Sequence, residues 1–113
     1  MMRKLPIFAA VAASFLAFPV FAVAADGGPI HIVIEKHVFT PSEIKVPAGK
    51  AVELLVENRD TTPEEFESID LKREKVIPGG AKARIRIGPL EKGTYTFVGE
   101  FHEDTAKGKI IAE

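Results

Sequence analysis

The chain has 113 residues, with 15 lysines and arginines against 16 aspartates and glutamates and a formal net charge of −1. This balance provides no basic face, which argues against nucleic acid as a partner. The sequence contains no cysteine. Disulfides, thiolate catalysis and any cysteine-ligated zinc or copper site are therefore excluded.

The first 24 residues have the pattern of a secretory signal peptide. A basic start, Arg3-Lys4, precedes a long apolar run, and Ala22-Val23-Ala24 offers small residues before a cleavage point. The alternative is an uncleaved membrane anchor, which the well-formed small-residue site disfavours. We therefore predict a signal peptide over residues 1–24, export of the protein, and a single small domain over residues 25–113.

Short apolar runs bounded by turn residues fill the rest of the chain. They predict about eight strands at spacings of roughly ten residues, the pattern of an antiparallel sandwich or barrel. The predicted strands cover residues 30–34, 43–46, 51–57, 67–71, 75–77, 83–87, 94–99 and 109–112. One helical turn is compatible with Thr62-Pro63-Glu64-Glu65, where Thr62 would cap it.

The inward phase of each strand predicts the core. In Ala83-Arg84-Ile85-Arg86-Ile87, for example, the isoleucines face inward and the arginines outward. The same reasoning gives a core of Ile32, Ile34, Phe39, Ile44, Val46, Val52, Leu54, Val56, Ile69, Leu71, Ile85, Ile87, Tyr95, Phe97 and Ile110.

Six short motifs occur in an order that is found in one protein family. They are Phe39-x-Pro41, Ile44-x-Val46-Pro47-Ala48-Gly49, Val56-x-Asn58, Ile77-x-Gly79, Gly93-x-Tyr95-x-Phe97 and Gly108-x-Ile110. With them the chain resembles the cupredoxin-like domain of bacterial periplasmic iron-uptake systems. Members include the small cupredoxin partner of ferrous-iron permeases and the N-terminal domain of elemental-iron uptake lipoproteins.

This resemblance implies an all-β, Greek-key cupredoxin-like sandwich in the periplasm. It also implies two partners, an inner-membrane iron permease and a periplasmic iron-binding protein, and it leaves open whether the protein forms a homodimer.

The resemblance also shows which copper ligands are missing. In blue copper members the last loop supplies cysteine, histidine and usually methionine, and an earlier loop supplies a second histidine. Here Gly99 stands at the cysteine position, His102 keeps the later histidine, and Ala106 or Lys107 stands at the methionine position. The segment after Asn58 carries carboxylates instead of a histidine. A blue copper centre is therefore excluded.

The remaining candidate ligands are mostly oxygen. Glu65 and Glu67 are two residues apart, so on a strand they project to the same face. We expect His102 at the same end of the sandwich, and Glu74 and Glu100 as further candidates to complete the site.

The length of the loop after Asn58 does not fix the strand register, so Glu64 is an alternative to Glu65 as a metal ligand. Carboxylates with one imidazole suit iron, manganese or, less selectively, copper(II) or zinc.

Each candidate also has a simpler interpretation. Glu65 and Glu67 can be ordinary solvated acids, and His102 can be a surface histidine of a loop. His31 and His37 are interpreted as surface residues, too far apart on one extended strand to bind a single ion.

These patterns lead to one functional prediction and two rivals. We predict a periplasmic protein that binds ferrous iron for delivery to a permease, and we leave open whether it oxidises the ion. One rival is a copper carrier that uses His102 and the same carboxylates. The other is a metal-free sandwich that serves as a docking module of a membrane complex. No nucleophile elbow, HExxH motif or Ser/His/Asp constellation indicates another enzyme.

Overall fold

Ten strands and one short 3₁₀ helix make up the described part of the chain, which in this computed structural model comprises residues 22–23 and 28–113. The elements are β1 Ala22–Val23, β2 Ile30–Glu35, β3 Val38–Thr40, β4 Glu43–Val46, β5 Val52–Asn58, β6 Glu64–Ser68, β7 Arg73–Ile77, β8 Lys82–Ile87, β9 Gly93–Gly99, the 3₁₀ helix Glu100–His102, and β10 Lys107–Ala112. The predicted signal peptide lies outside the described residues except for β1, and its boundary stays a prediction.

The strands form two sheets that pack as a sandwich. One sheet has six strands in the order β1-β4-β10-β9-β6-β7, and the other has four in the order β3-β2-β5-β8. Strand β4 is parallel to β1 and β10, and β2 is parallel to β5, whereas the remaining pairs are antiparallel. The all-β sandwich expected from the sequence is confirmed, but the described residues form ten strands instead of about eight, and three of the pairings are parallel instead of antiparallel.

Alternation of apolar and polar side chains explains most of these strands. In β8 every second residue is buried, so that Ala83, Ile85 and Ile87 face the core. Three phenylalanines fill the middle of the sandwich: the ring centroid of Phe97 lies 5.0 Å from that of Phe39 and 5.0 Å from that of Phe66. Such aromatic contacts add to the free energy gained from burial.

Most of the predicted core residues are buried, but Ile69 is not. The strand predicted over residues 67–71 lies three residues earlier, at β6, and Ile69 is 84% exposed. A turn follows β6, in which the Leu71 amide donates to the Ser68 hydroxyl and the Lys72 amide donates to the Ile69 carbonyl. This turn reverses the chain and returns Leu71 to the core while Ile69 points to solvent.

Several smaller expectations are also corrected. Residues Glu64 and Glu65 belong to β6, so the single helical turn proposed for this segment is wrong. Strand β3 was not predicted, and neither was the burial of Phe66, whereas Val52 and Tyr95 are only partly buried. No helix among the described residues has the length and apolar character needed to cross a membrane.

The buried side chain of Asn58 fixes the position at which β6 begins. Its amide nitrogen donates to the carbonyls of Thr62, at 2.9 Å, and Ile77, at 3.0 Å, and its carbonyl oxygen accepts the Asp60 amide. These bonds hold the loop between β5 and β6 against the end of β7. The carboxylates of β6 are consequently presented from a fixed register.

Replacement of a core phenylalanine provides a test of this register. Phe66→Ala is expected to lower the free energy of unfolding by about 3–5 kcal/mol, because a fully buried ring is removed. Ile69→Ala is the matched control and should change it by less than about 0.5 kcal/mol, since Ile69 faces solvent. Urea denaturation measures both values, and equal losses would contradict the register of β6.

Candidate metal centre

Strand β6 carries acidic side chains on both of its faces. Phe66 points into the core, so Glu64 lies on the inner face while Glu65 and Glu67 lie on the outer face of the six-stranded sheet. On the outer face Glu67 pairs with Glu74 of β7. Phe66 pairs with Gly99 of the antiparallel strand β9. Glu65, one residue before Phe66, therefore lies beside Glu100, one residue after Gly99.

Glu65, Glu67, Glu74 and Glu100 form what we call the outer carboxylate cluster. Single carboxylate oxygens of Glu65, Glu67 and Glu100 all lie within 4.8 Å of one another. Glu65 is only 8% exposed, and its Oε1 is buried without a hydrogen-bond partner among the described residues. A buried oxygen in this state normally requires a proton, a water or a cation.

No positive side chain in the described part of the chain neutralises the outer carboxylate cluster. Within residues 28–113, no lysine, arginine or histidine forms an ion pair with any of its four members. A proton on Glu65 would allow hydrogen bonds to Glu74 and Glu100. These two neighbours, together with burial, raise the pKa of Glu65 from its ordinary value of 4.5 to about 8. The Glu100 carboxyl, with burial, likewise raises the pKa of Glu67.

Solvent reaches the cluster along a shallow groove. The groove has a volume of about 300 Å³, and its walls include Glu67, Ile69, Glu100 and Glu103. A metal site needs an entry path of this kind as well as a ligand set.

The Glu64 carboxylate occupies the inner face at the same end of the sandwich. Its Oε2 lies 2.5 Å from Nδ1 of His102, and its Oε1 accepts the backbone amides of Glu65 at 3.0 Å and Phe101 at 2.9 Å. An ionised carboxylate has only acceptor atoms, so Nδ1 of His102 donates the third hydrogen bond. This buried carboxylate thus ties the 3₁₀ helix to β6.

The absence of a side chain at Gly99 makes room for this arrangement. A Cβ atom at Gly99 would lie 2.7 Å from Cδ of Glu64 and 2.7 Å from Cβ of Ala106. Both distances are far below van der Waals contact. The glycine at the expected cysteine position therefore accommodates the Glu64 carboxylate.

The structure brings together four of the five predicted ligands and separates the fifth. Glu65, Glu67 and Glu100 converge, and Glu74 lies directly opposite Glu67. His102 lies at the same end of the sandwich but contacts Glu64 on the inner face, so it is not a ligand alongside Glu65 and Glu67 in this arrangement. Glu64 and Glu65 are neighbours on one strand and must point to opposite faces, and His102 follows Glu64.

Sequence reasoning missed one contact of His102. Its ring stacks on that of His37, with 3.4 Å between the centroids and 9° between the planes. His37 was assigned to the surface because a continuous strand was assumed. The chain instead turns at Lys36-His37, where both residues have positive φ. The polar pair between two β-branched runs was the signal of a tight hairpin.

The family model of the cupredoxin-like domain matches residues 6–112, and the chain belongs to this family.

An uncharacterised protein of Rickettsia prowazekii is 38% identical over 105 residues, a match that covers 86% of this chain and 84% of the relative. Among solved structures, the metal-binding domain of the Cu(I)-exporting P-type ATPase of Streptococcus pneumoniae superposes with a TM-score of 0.73 at 18% identity. This match covers 86% of this chain and 99% of that one. Amicyanin from Paracoccus versutus superposes with a TM-score of 0.60 at 20% identity, over 79% of this chain and 85% of amicyanin. At these identities, the two structures indicate a shared fold.

The tight environment of Gly99 can be tested by adding one methyl group. Gly99→Ala is expected to lower the free energy of unfolding by about 1–3 kcal/mol, because the new Cβ overlaps Glu64 and Ala106. Gly28→Ala is the matched control, since a Cβ there meets no atom of the described residues within 4 Å. Urea denaturation of both variants measures the difference. If Gly99→Ala is as harmless as Gly28→Ala, Glu64 does not occupy this space.

The raised pKa of Glu65 predicts a pH dependence of stability. The folded protein holds a proton that the unfolded chain loses near pH 4.5, so the favourable contribution is complete below that pH. It is lost as the pH rises through about 8. The urea midpoint without added metal should therefore fall from pH 5 to pH 8.5 more steeply than that of Glu65→Gln. Parallel pH profiles would contradict the assignment.

Proposed function

We propose that this cupredoxin-like protein binds a metal cation in the outer carboxylate cluster and that ferrous iron is its cargo. The observation that carries the proposal is the buried, unpartnered Oε1 of Glu65 beside the oxygens of Glu67 and Glu100. The four acids come from two neighbouring strands, β6 and β7, and from the start of the 3₁₀ helix that follows β9, so the edge of the sheet itself holds the group together.

The spacing of the oxygens fits a single ion. Carboxylate oxygens bind metal ions at about 2.0–2.6 Å, so two oxygens on one ion are at most about 4–5 Å apart. The oxygens of Glu65, Glu67 and Glu100 all lie within 4.8 Å of one another, which is inside this range. Glu74 lies opposite Glu67 and can supply a fourth ligand. A bound cation would also relieve the repulsion between these like charges.

The ligand chemistry favours iron or manganese over copper(I). Anionic oxygen is a hard donor, whereas copper(I) prefers sulfur, and neither cysteine nor a methionine beyond Met1 and Met2 is present. The copper bound by the Streptococcus pneumoniae domain supports metal binding within the same fold. It does not indicate the same metal, because the donor set here consists of carboxylates.

The proposed route of the ion follows from the resemblance of the motifs to iron-uptake cupredoxins. In this proposal the exported domain collects the ion in the periplasm and transfers it to an inner-membrane iron permease, with a periplasmic iron-binding protein as a further partner. The groove beside Glu100 and Glu103 opens to solvent and gives the ion a route in and out.

Calorimetric titration of the purified full chain tests the metal site. Under anaerobic conditions Fe²⁺ is expected to bind at one ion per chain, and Mn²⁺, Zn²⁺ and Cu²⁺ serve as comparisons. Glu65→Gln with Glu67→Gln should weaken Fe²⁺ binding at least about tenfold, because two anionic ligands are removed. Glu35→Gln is the matched control, since Glu35 is an exposed carboxylate on β2 of the other sheet.

The outcomes separate the proposal from its rivals. If the titration shows no heat of binding for any of the four metals, the result would favour the metal-free docking module. Strong binding of Cu²⁺ without binding of Fe²⁺ would favour the copper carrier. Fe²⁺ binding that is unchanged in the glutamine variant would remove the outer carboxylate cluster as the site.

A further inference from the structure

Six cationic side chains lie along one edge of the sandwich. Strand β7 is the last strand of the six-stranded sheet, β8 is the last strand of the four-stranded sheet, and the two strands follow one another in the chain. Arg73 joins them directly, because its Nε donates to the carbonyl of Arg86 at 2.8 Å. We call this surface the basic edge, and it consists of Lys72, Arg73, Lys75, Lys82, Arg84 and Arg86.

The alternation of side chains exposes the basic edge and separates it from the outer carboxylate cluster. In β8 the three cations alternate with buried apolar residues and are themselves exposed. In β7 the exposed side chains of Arg73 and Lys75 point to the opposite face from Glu74. Glu74 is the single acid in the sequence of residues 72–86. The basic edge therefore contains no acidic residue of its own.

Few carboxylates neutralise this positive charge. Within the described part of the chain, Arg84 forms an ion pair with Glu53, and the other five cations of the basic edge form none. Glu57 lies opposite Lys82 on the next strand, and its carboxylate pairs with Arg59. An array of exposed cations with so few counter-charges produces a positive potential that attracts an anionic surface.

An exposed apolar side chain adjoins the basic edge. Ile69 lies in the turn between β6 and β7 and is 84% exposed, and its carbonyl accepts the amide of Lys72 at 3.1 Å. Asp70, the acid of this turn, is directed back to the sheet, where its carboxylate accepts the amide and the hydroxyl of Thr96. The turn thus presents one large apolar side chain beside the first cations of the edge.

We infer that the basic edge docks on an anionic phospholipid bilayer and that Ile69 enters the headgroup region. A protein gains affinity for such a surface from each cation near it and from each apolar side chain that reaches into the interface. A bilayer fits this surface better than a folded acidic protein does, because headgroups adapt to scattered cations and a projecting isoleucine needs no matching pocket in lipid. The docking surface shares no residue with the proposed metal site and requires no metal.

Co-sedimentation of the purified full chain with vesicles, without added metal, tests this surface. The chain is expected to bind vesicles that contain phosphatidylglycerol more tightly than vesicles of phosphatidylcholine alone, and added salt should reduce the difference. The neutral vesicles report any binding through the apolar residues of the first 24 positions. Lys75→Gln with Lys82→Gln and Arg86→Gln should lower the affinity for the anionic vesicles at least about tenfold, because each cation near such a surface contributes about fivefold.

A second triple variant with the same change in net charge is the matched control. Lys45→Gln with Lys107→Gln and Lys109→Gln removes three cations from β4 and β10. These strands lie three or four strand spacings from β7, or about 14–19 Å. This distance exceeds the Debye length at physiological salt, so the affinity should change by less than about twofold.

Ile69→Ala separates a bilayer from an acidic protein as the partner. The variant keeps every charge and should lower the affinity for anionic vesicles about threefold or more, because apolar groups are removed from the interface. Its binding to soluble polyglutamate, which offers the negative charge without lipid, should stay unchanged.

Equal affinity for anionic and neutral vesicles would overturn the inference, as would equal losses in the two triple variants or full vesicle binding by Ile69→Ala. Binding to polyglutamate without binding to anionic vesicles would assign the basic edge to an acidic protein instead. Circular dichroism checks that each variant is folded. The titration with Fe²⁺ depends on the outer carboxylate cluster alone, so the two proposals can fail independently.

Discussion

The structure around the start of β6 and the 3₁₀ helix depends on the buried carboxylate of Glu64. It accepts three hydrogen bonds, from two backbone amides and from His102, and so connects the start of β6 to the loop after β9. Hydrogen bonds to a charged acceptor are stronger than neutral ones, and a buried carboxylate that lost these donors would be costly. The geometry of the loop is therefore set by groups that belong to the protein itself.

This carboxylate depends in turn on a glycine. A cysteine at position 99 would place its Cβ within 2.7 Å of Glu64, so the thiolate of a blue copper centre and the Glu64 carboxylate exclude one another. A side chain at position 99 and the Glu64 carboxylate in its present place are consequently incompatible. The fold of the cupredoxin-like family remains, while the order that a metal–thiolate bond would give to the last loop is provided by hydrogen bonds.

The sequence predicted the fold well where one side of a strand is apolar and the other polar. The alternation in β8 and β9 identified those strands, and the turn residues separated them. The prediction from alternation failed at β6, because this strand is acidic on both faces and contains only one apolar residue, Phe66. Because Ile69 is apolar, the strand was predicted over residues 67–71, although Ile69 lies in the turn after β6 and is exposed.

The candidate site was predictable only in part, for a related reason. Spacing by two placed Glu65 and Glu67 on one face, and strand pairing brought in Glu74 and Glu100, both of which local reasoning had included. The contacts of His102 could not be found in this way. They depend on the phase of Glu64 within β6 and on a hairpin that carries His37 from a distant part of the chain.

The separation of imidazole from carboxylate bears directly on which metal the outer carboxylate cluster can hold. Affinity for divalent ions rises from manganese and iron toward copper at almost any nitrogen or oxygen site, so a mixed site would be taken first by Cu²⁺ or Zn²⁺. Nitrogen ligands increase the preference for Cu²⁺ and Zn²⁺ over iron and manganese, whereas hard oxygen ligands increase it less. Because β6 directs His102 inward with Glu64 and leaves only oxygens outside, the outer carboxylate cluster avoids the ligand that its strongest competitors prefer. The strict alternation of side chains along one strand therefore gives the outer carboxylate cluster the all-oxygen ligand set on which the proposed binding of iron depends.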